Sequence, residues 1–201
     1  MPRVYPGLYD RYDDATRAVA DLRAAGVPYE DISLIGRDPD GRYEPIPAES
    51  TPAGTGAKIG TVIGGGAGLL TGLGIMAIPG VGPVVAAGWL VSTIAGAAAG
   101  AVAGAATGGI IGALTHHGVS EEHAHVYAEG VRRGGTLVTA RGEEALGPMV
   151  DPIYRRTGAI DPEERARLYK SGGWERFDPD APPYSSEEAE AERNRYKRAA
   201  E

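Results

Sequence analysis

All four histidines of the chain fall together, at His116, His117, His123 and His125, beside Glu121 and Glu122. Imidazole and carboxylate ligate zinc and other borderline metals, and a turn at Gly118 could bring the two pairs face to face. The spacing matches no standard zinc signature, and His123 and His125, two apart, do not share a helical face. A solvated junction between two helix ends therefore outweighs a metal site here, and a pH response is a further reading, since unperturbed imidazole titrates near ~6.5. Cysteine is absent, which excludes disulfides, thiolate metal sites and cysteine nucleophiles. Gly72-Leu73-Gly74-Ile75-Met76-Ala77 copies a dinucleotide-binding spacing with Ala in the last place, but it lies inside an apolar stretch rather than after a strand. The chain thus reads as non-enzymatic, without a cofactor. With 20 Lys and Arg against 27 Asp and Glu, a formal charge of −7, it also has no basic footprint for nucleic acid.

The elements around the histidines are dominated by what precedes them. From Ile59 through Thr115 there is no Asp, Glu, Lys or Arg. Pro79, Gly80, Gly82 and Pro83 interrupt this interval and predict a tight turn between two helices. The first arm, Ile59 to Ile78, would be about 30 Å long, close to the thickness of bilayer hydrocarbon. The second would run from Val84 to Leu114. Small residues recur every fourth position, at Gly60, Gly64, Gly68 and Gly72, then at Gly88, Ser92, Gly96, Gly100, Gly104, Gly108 and Gly112. Spacing of four puts them on one helical stripe, along which two backbones can approach closely: a glycine zipper. Gly and Ala drive membrane insertion weakly, so two environments stay open, lipid or the hairpins of other copies. Lys58, Arg132 and Arg133 flank the hairpin and could meet anionic headgroups, or could be ordinary solvated residues.

The flanks predict an α/β domain. Arg3 to Leu8 reads as a strand, Asp14 to Ala25 as a helix capped by Asp13 and stopped at Gly26, and Ile32 to Ile35 as a second strand. After the hairpin, Ser120 with Glu121 and Glu122 starts a helix that ends at Gly134-Gly135. Thr136 to Thr139 is a strand, Glu143 to Thr157 a helix holding Pro148 and Pro152, and Gly158 to Asp161 a closing edge. The fold expected is α+β, a ferredoxin-like split α/β sandwich with helices on one face, an inserted glycine-zipper helical hairpin and an irregular or helical C-terminal tail. Its parts are the first half of the domain (1–47), the hairpin (58–117), the second half (118–165) and the charged tail (166–201). Tyr5, Tyr9 and Tyr12 read as partial core packing.

The succession Asp21-Leu22-Arg23-Ala24-Ala25-Gly26, Asp31-Ile32-Ser33-Leu34-Ile35, the Pro79-to-Pro83 turn, Gly118-Val119-Ser120-Glu121-Glu122 and Tyr127-Ala128-Glu129-Gly130-Val131-Arg132-Arg133-Gly134-Gly135-Thr136-Leu137-Val138 resembles the bacterial general stress and heat-induced stress protein family. The resemblance spans roughly Val4 to Asp161. It implies a stress-responsive bacterial protein with no catalytic residues to carry over. The partners expected are other copies of the chain and membrane lipid, and no nucleic acid. The location expected is the cytoplasmic membrane with the soluble parts facing the cytoplasm, because the start lacks the apolar core of a secretory signal; the cytoplasm itself is the alternative. Ser186 to Ala199 can form a polar helix that docks a protein partner, a neighbouring subunit or its own chain.

Overall fold

The computed structural model describes residues 2–37, 74–78, 81–100 and 109–199. Strand β1, Arg3–Tyr9, alternates: Val4 and Leu8 enter one core, while Tyr5 and Tyr9 face the other. Helix α1, Tyr12–Ala24, buries Ala15, Ala18, Val19 and Leu22, the stripe expected of a 3.6-residue period. Its N-cap is Arg11 rather than Asp13, so Asp13 and Asp14 act through their charge in the first turn. Gly26 ends the helix at φ +93°, where the Val27 N–H returns to the Leu22 carbonyl. Strand β2, Ile32–Gly36, is buried along its whole length.

The central segment departs from the expected pair of helices. Gly74–Ile78 is strand β3 and Gly82–Ala87 is strand β4, an antiparallel pair in which Ile78 faces Gly82. The chain does reverse where prolines and glycines cluster, yet Gly82 and Pro83 open a strand and do not join two helices; Pro79 and Gly80 lie outside the described residues. The physical reason is length and side-chain type. Five- and six-residue runs containing Ile75, Ile78, Val84 and Val85, bounded by Gly and Pro, favour the pleated surface over a helix.

Helix α2, Trp89–Gly100, follows, and α3, Ile110–His116, starts afresh after Gly109 at φ +102°. The continuous second arm from Val84 to Leu114 is therefore corrected to a strand, a turn and two helices. Then come α4, Glu121–Arg132, β5, Thr136–Gly142, and α5, Gly147–Thr157, with Pro148 in its first turn and Pro152 inside it. The tail holds two helices, α6, Pro162–Ser171, and α7, Ser186–Ala199.

The protein is thus a mixed α+β fold on one antiparallel sheet of order β1-β5-β2-β4-β3. Strands β1 and β2 run parallel to each other with β5 antiparallel between them. On the free side of β1 a single bridge links Leu8 to Ile160, whose N–H donates to the Leu8 carbonyl at 2.8 Å. Helices cover both faces, not one. Helices α1 and α5 pack with Ile32, Leu34, Val138 and Ala140, whereas α2, α3 and α4 pack with Ile35, Val84, Ala86 and Leu137. The second layer buries Leu90 and Ile94 of α2, Ile110 and Leu114 of α3 and Ala124, Tyr127 and Val131 of α4 against the opposite sheet face. Among the described residues no helix is long and apolar enough to cross a membrane.

Candidate functional site

The histidines do sit at a helix junction. His116 ends α3, His117 is its C-cap, Gly118 turns at φ +88°, and Ser120 caps α4 by accepting a hydrogen bond from the His123 N–H at 3.3 Å. The His116 and His117 rings meet edge to face at 5.1 Å. His125 lies 3.7 Å from Glu121 on the same helix. The four do not converge, because His123 and His125 leave α4 in directions about 200° apart. Among the described residues no group of three or more His, Asp or Glu is gathered as a metal site would need, and His116, His117, His123 and His125 do not form one.

His117 instead belongs to an aromatic stack. Its ring stands edge-on to Trp89 at 4.9 Å, and the Arg141 guanidinium lies 5.1 Å from the Trp89 ring. Arg141 is held in turn by Asp31 at 2.7 and 2.9 Å. Burial, followed by the charges of His116 and Arg141, lowers the pKa of His117. This stack fixes the first residue of α2. Ser33, buried on β2, completes the anchor by donating to the Ala87 carbonyl at 2.6 Å and accepting from the Leu90 N–H at 3.2 Å.

The small-residue stripe is only partly helical. Ser92, Gly96 and Gly100 follow one another at spacing four along α2, and Gly112 lies in α3. Gly88 is corrected: it is a turn residue at φ +93°, where a Cβ would stand 2.1 Å from the Ile32 carbonyl oxygen, so glycine is required there for entry into α2. Gly60, Gly64, Gly68, Gly72, Gly104 and Gly108 lie outside the described residues. Of the Gly72-to-Ala77 spacing, Gly74 to Ala77 lie in β3 and not in a loop before a helix, while Gly72 and Leu73 lie outside the described residues.

A second cluster was not foreseen from the sequence. Glu129, fully buried on α4, accepts from Arg132 at 2.5 and 2.9 Å and from Arg133 at 2.6 Å. Arg133 reaches on to Glu192 of α7 at 2.5 Å and stacks 4.3 Å from the Tyr169 ring centre. Arg165 of α6 grips both oxygens of Asp10 at 2.7 and 2.9 Å and lies 3.7 Å from the Tyr196 ring centre. Arg132 and Arg37 hold the carbonyls of Pro182 and Tyr184. Burial alone would lower the pKa of Arg133, but the hydrogen bonds and charge of Glu129 more than offset it and keep the guanidinium ionised. Arg132 and Arg133 are therefore engaged inside the protein, which corrects their reading as cations facing lipid headgroups, and the tail lies over its own chain.

No protein-family model, no curated protein and no solved structure matches the chain. The side chains themselves must therefore indicate what the molecule does. The guanidiniums of Arg37, Arg132, Arg133 and Arg165 in the second cluster are each matched to a carboxylate or a carbonyl, an arrangement that ties α4, α6 and α7 to the body of the protein. A local signal for the second cluster was available: Glu129 is followed by arginines at three and four residues, and Arg165 and Glu192 are each followed four residues later by Tyr169 and Tyr196.

Proposed function

We propose that this is a non-enzymatic bacterial stress-response protein that works by self-association through its central uncharged segment, carried on a ferredoxin-like core. The ferredoxin-like reading is supported by the parallel β1 and β2 with β5 between them, by α1 and α5 side by side on one face, and by Ile160 bridging Leu8 where a fourth strand would stand. The observation that carries the association is the place of β3. Gly74-Ile75-Met76-Ala77-Ile78 has no charge, ends the sheet order, and among the described residues pairs only with β4. Edge strands that avoid pairing usually carry charge or proline. Among the described residues, Met149 is the one large hydrophobic left exposed, so the rest of the described body offers no apolar docking surface and association falls to the segment between 59 and 115.

Assembly among copies is favoured over a spanning hairpin because a span needs about 20 apolar residues in one helix, and 74–78 and 82–87 are strands. Contact with a lipid surface is the second reading, favoured by the lack of charge from Ile59 through Thr115. Sedimentation velocity of the full chain tests the proposal. The wild type should sediment as a discrete oligomer, and Met76→Lys on β3 or Ser92→Arg at an exposed position of α2 should each shift it toward monomer with an unchanged circular dichroism spectrum. A monomeric wild type across the micromolar range, or two variants that assemble as the wild type does, would refute it.

A further inference from the structure

The two edges of the sheet are finished differently, and the backbone shows how. Along a strand the N–H and C=O of one residue point to one side, and those of the next residue point to the other. On β1 the Leu8 carbonyl faces outward, since it accepts from the Ile160 N–H at 2.8 Å. Val4 and Pro6 alternate in step with Leu8 and face outward with it. Pro6 has no N–H to offer a further strand and the Leu8 carbonyl is taken, so this edge is blunted.

On β3 the same reasoning gives the opposite result. Pro83 lies opposite Ala77, and a hydrogen-bonded antiparallel pair needs an N–H from each residue. Ala77 and Pro83 are therefore a non-hydrogen-bonded pair, and the N–H and C=O of Ile75 and Ala77 point away from β4. The Ile78 carbonyl agrees with this phase, because it turns to the β4 side to accept from the Val81 N–H at 3.0 Å. The missing N–H of Pro83 falls on the β2 side and leaves the outer edge whole. That edge carries no charge, and among the described residues the outward groups of Ile75 and Ala77 face no other strand. Their spacing is self-complementary. With Met76 set opposite Met76 of a second antiparallel β3, Ile75 of each copy falls opposite Ala77 of the other, and both outward N–H groups of each copy reach a carbonyl. The next register, Ala77 opposite Ala77, would set Ile75 against Pro79, which has no N–H. A shift of a single residue would set outward groups against inward ones.

We propose that two copies of the chain join by antiparallel pairing of β3 with β3 about a two-fold axis at Met76, which makes one continuous sheet of their two five-stranded sheets. The inference rests on the reading of self-association through the central segment and adds the partner surface and its register. A two-fold contact uses the same edge on both copies and consumes it, so it closes at a pair, the unit from which a larger assembly would be built.

The chain has no cysteine, so one introduced thiol per chain reports the register. Across a non-hydrogen-bonded pair the Cα atoms stand about 4.5 Å apart, within disulfide reach, whereas Ile75 and its own counterpart would be offset along the strands to about 7–8 Å. Under mild oxidation of the full chain, Met76→Cys should link into a dimer about tenfold or more faster than Ile75→Cys or Ala77→Cys alone. Chains carrying Ile75→Cys and Ala77→Cys, co-expressed, should link to each other. Ala77→Pro removes an outward N–H that makes no bond to β4; it costs half of the interchain hydrogen bonds and should weaken the pair roughly 5–100-fold in sedimentation velocity, with an unchanged circular dichroism spectrum. If the Met76→Cys chain fails to assemble, the co-expressed chains decide the register. Assembly without preferential linking at position 76 or between 75 and 77, or an Ala77→Pro chain that pairs as the wild type does, would overturn the strand pairing while leaving association through another part of the segment standing. A monomeric wild type would overturn both.

Discussion

Replacing Gly88 with alanine separates two accounts of the central segment by sign. In a zipper helix, Gly88→Ala would stabilise the chain by about 1 kcal/mol, the difference in helix propensity. In the structure Gly88 is the turn between β4 and α2, with φ +93° and a would-be Cβ 2.1 Å from the Ile32 oxygen and 2.7 Å from the Ser33 Cα. Left-handed backbone costs an alanine about 1–2 kcal/mol. The overlap is with backbone and not with a side-chain tip, so β2 or α2 must shift, at about 1–3 kcal/mol on the scale of overpacked cores. The reduced freedom of the unfolded chain returns about 0.4–1 kcal/mol. The net is a loss of about 1–5 kcal/mol, which with a urea slope of roughly 2 kcal/mol per molar lowers the unfolding midpoint by about 0.5–2.5 M. Trp89 is adjacent and buried, so tryptophan fluorescence can follow the transition. Gly158→Ala serves as a reference, because φ is +83° there with nothing within 4 Å of the new methyl; it should show only the backbone cost. A midpoint for Gly88→Ala equal to or above the wild type would refute the turn.

Further outcomes follow from the two clusters. Glu129→Gln removes the one carboxylate shared by Arg132 and Arg133 inside the protein and should cost about 3–5 kcal/mol, read as a urea midpoint shift; a loss under about 1 kcal/mol would mean that the arginines find other partners. Because the pKa of His117 is lowered in the fold, the unfolded chain takes up the proton more readily, so stability is intact above the ordinary histidine value of ~6.5 and falls as pH drops through it toward the folded pKa. His117→Phe should keep the edge-on contact with Trp89 and flatten that slope in a series of urea titrations; an unchanged slope would assign it to another group.

Much of the framework is legible in the sequence because its signals are local. Gly26 and Gly134 mark helix ends, Ser120 followed by two glutamates marks a helix start, and the alternation in β1 sorts its residues between two cores. The central segment is less legible because a short apolar run carries no period long enough to separate strand from helix. Glycine at spacing four then suggests a stripe even where Gly88 serves a turn. Helix α6 had a usable signal, since Asp161 before Pro162, Glu163 and Glu164 is a cap followed by proline in the first turn, and its side chain accepts from two backbone N–H groups at 2.9 Å. The guanidinium cluster was signalled only in its local pairs, such as Glu129 with Arg132 and Arg133. Asp10, Arg37, Glu129, Arg165 and Glu192 come from five distant parts of the chain, and only the tertiary fold brings them together.

The most direct test of the central claim is fractionation of the untagged protein from its native cells, with a carbonate wash of the membranes and light scattering on the chromatographed soluble fraction. The account predicts a protein released without detergent that elutes as one discrete assembly of several copies. A protein that stays in the washed membrane pellet until detergent is added, or that elutes as a monomer, would contradict it.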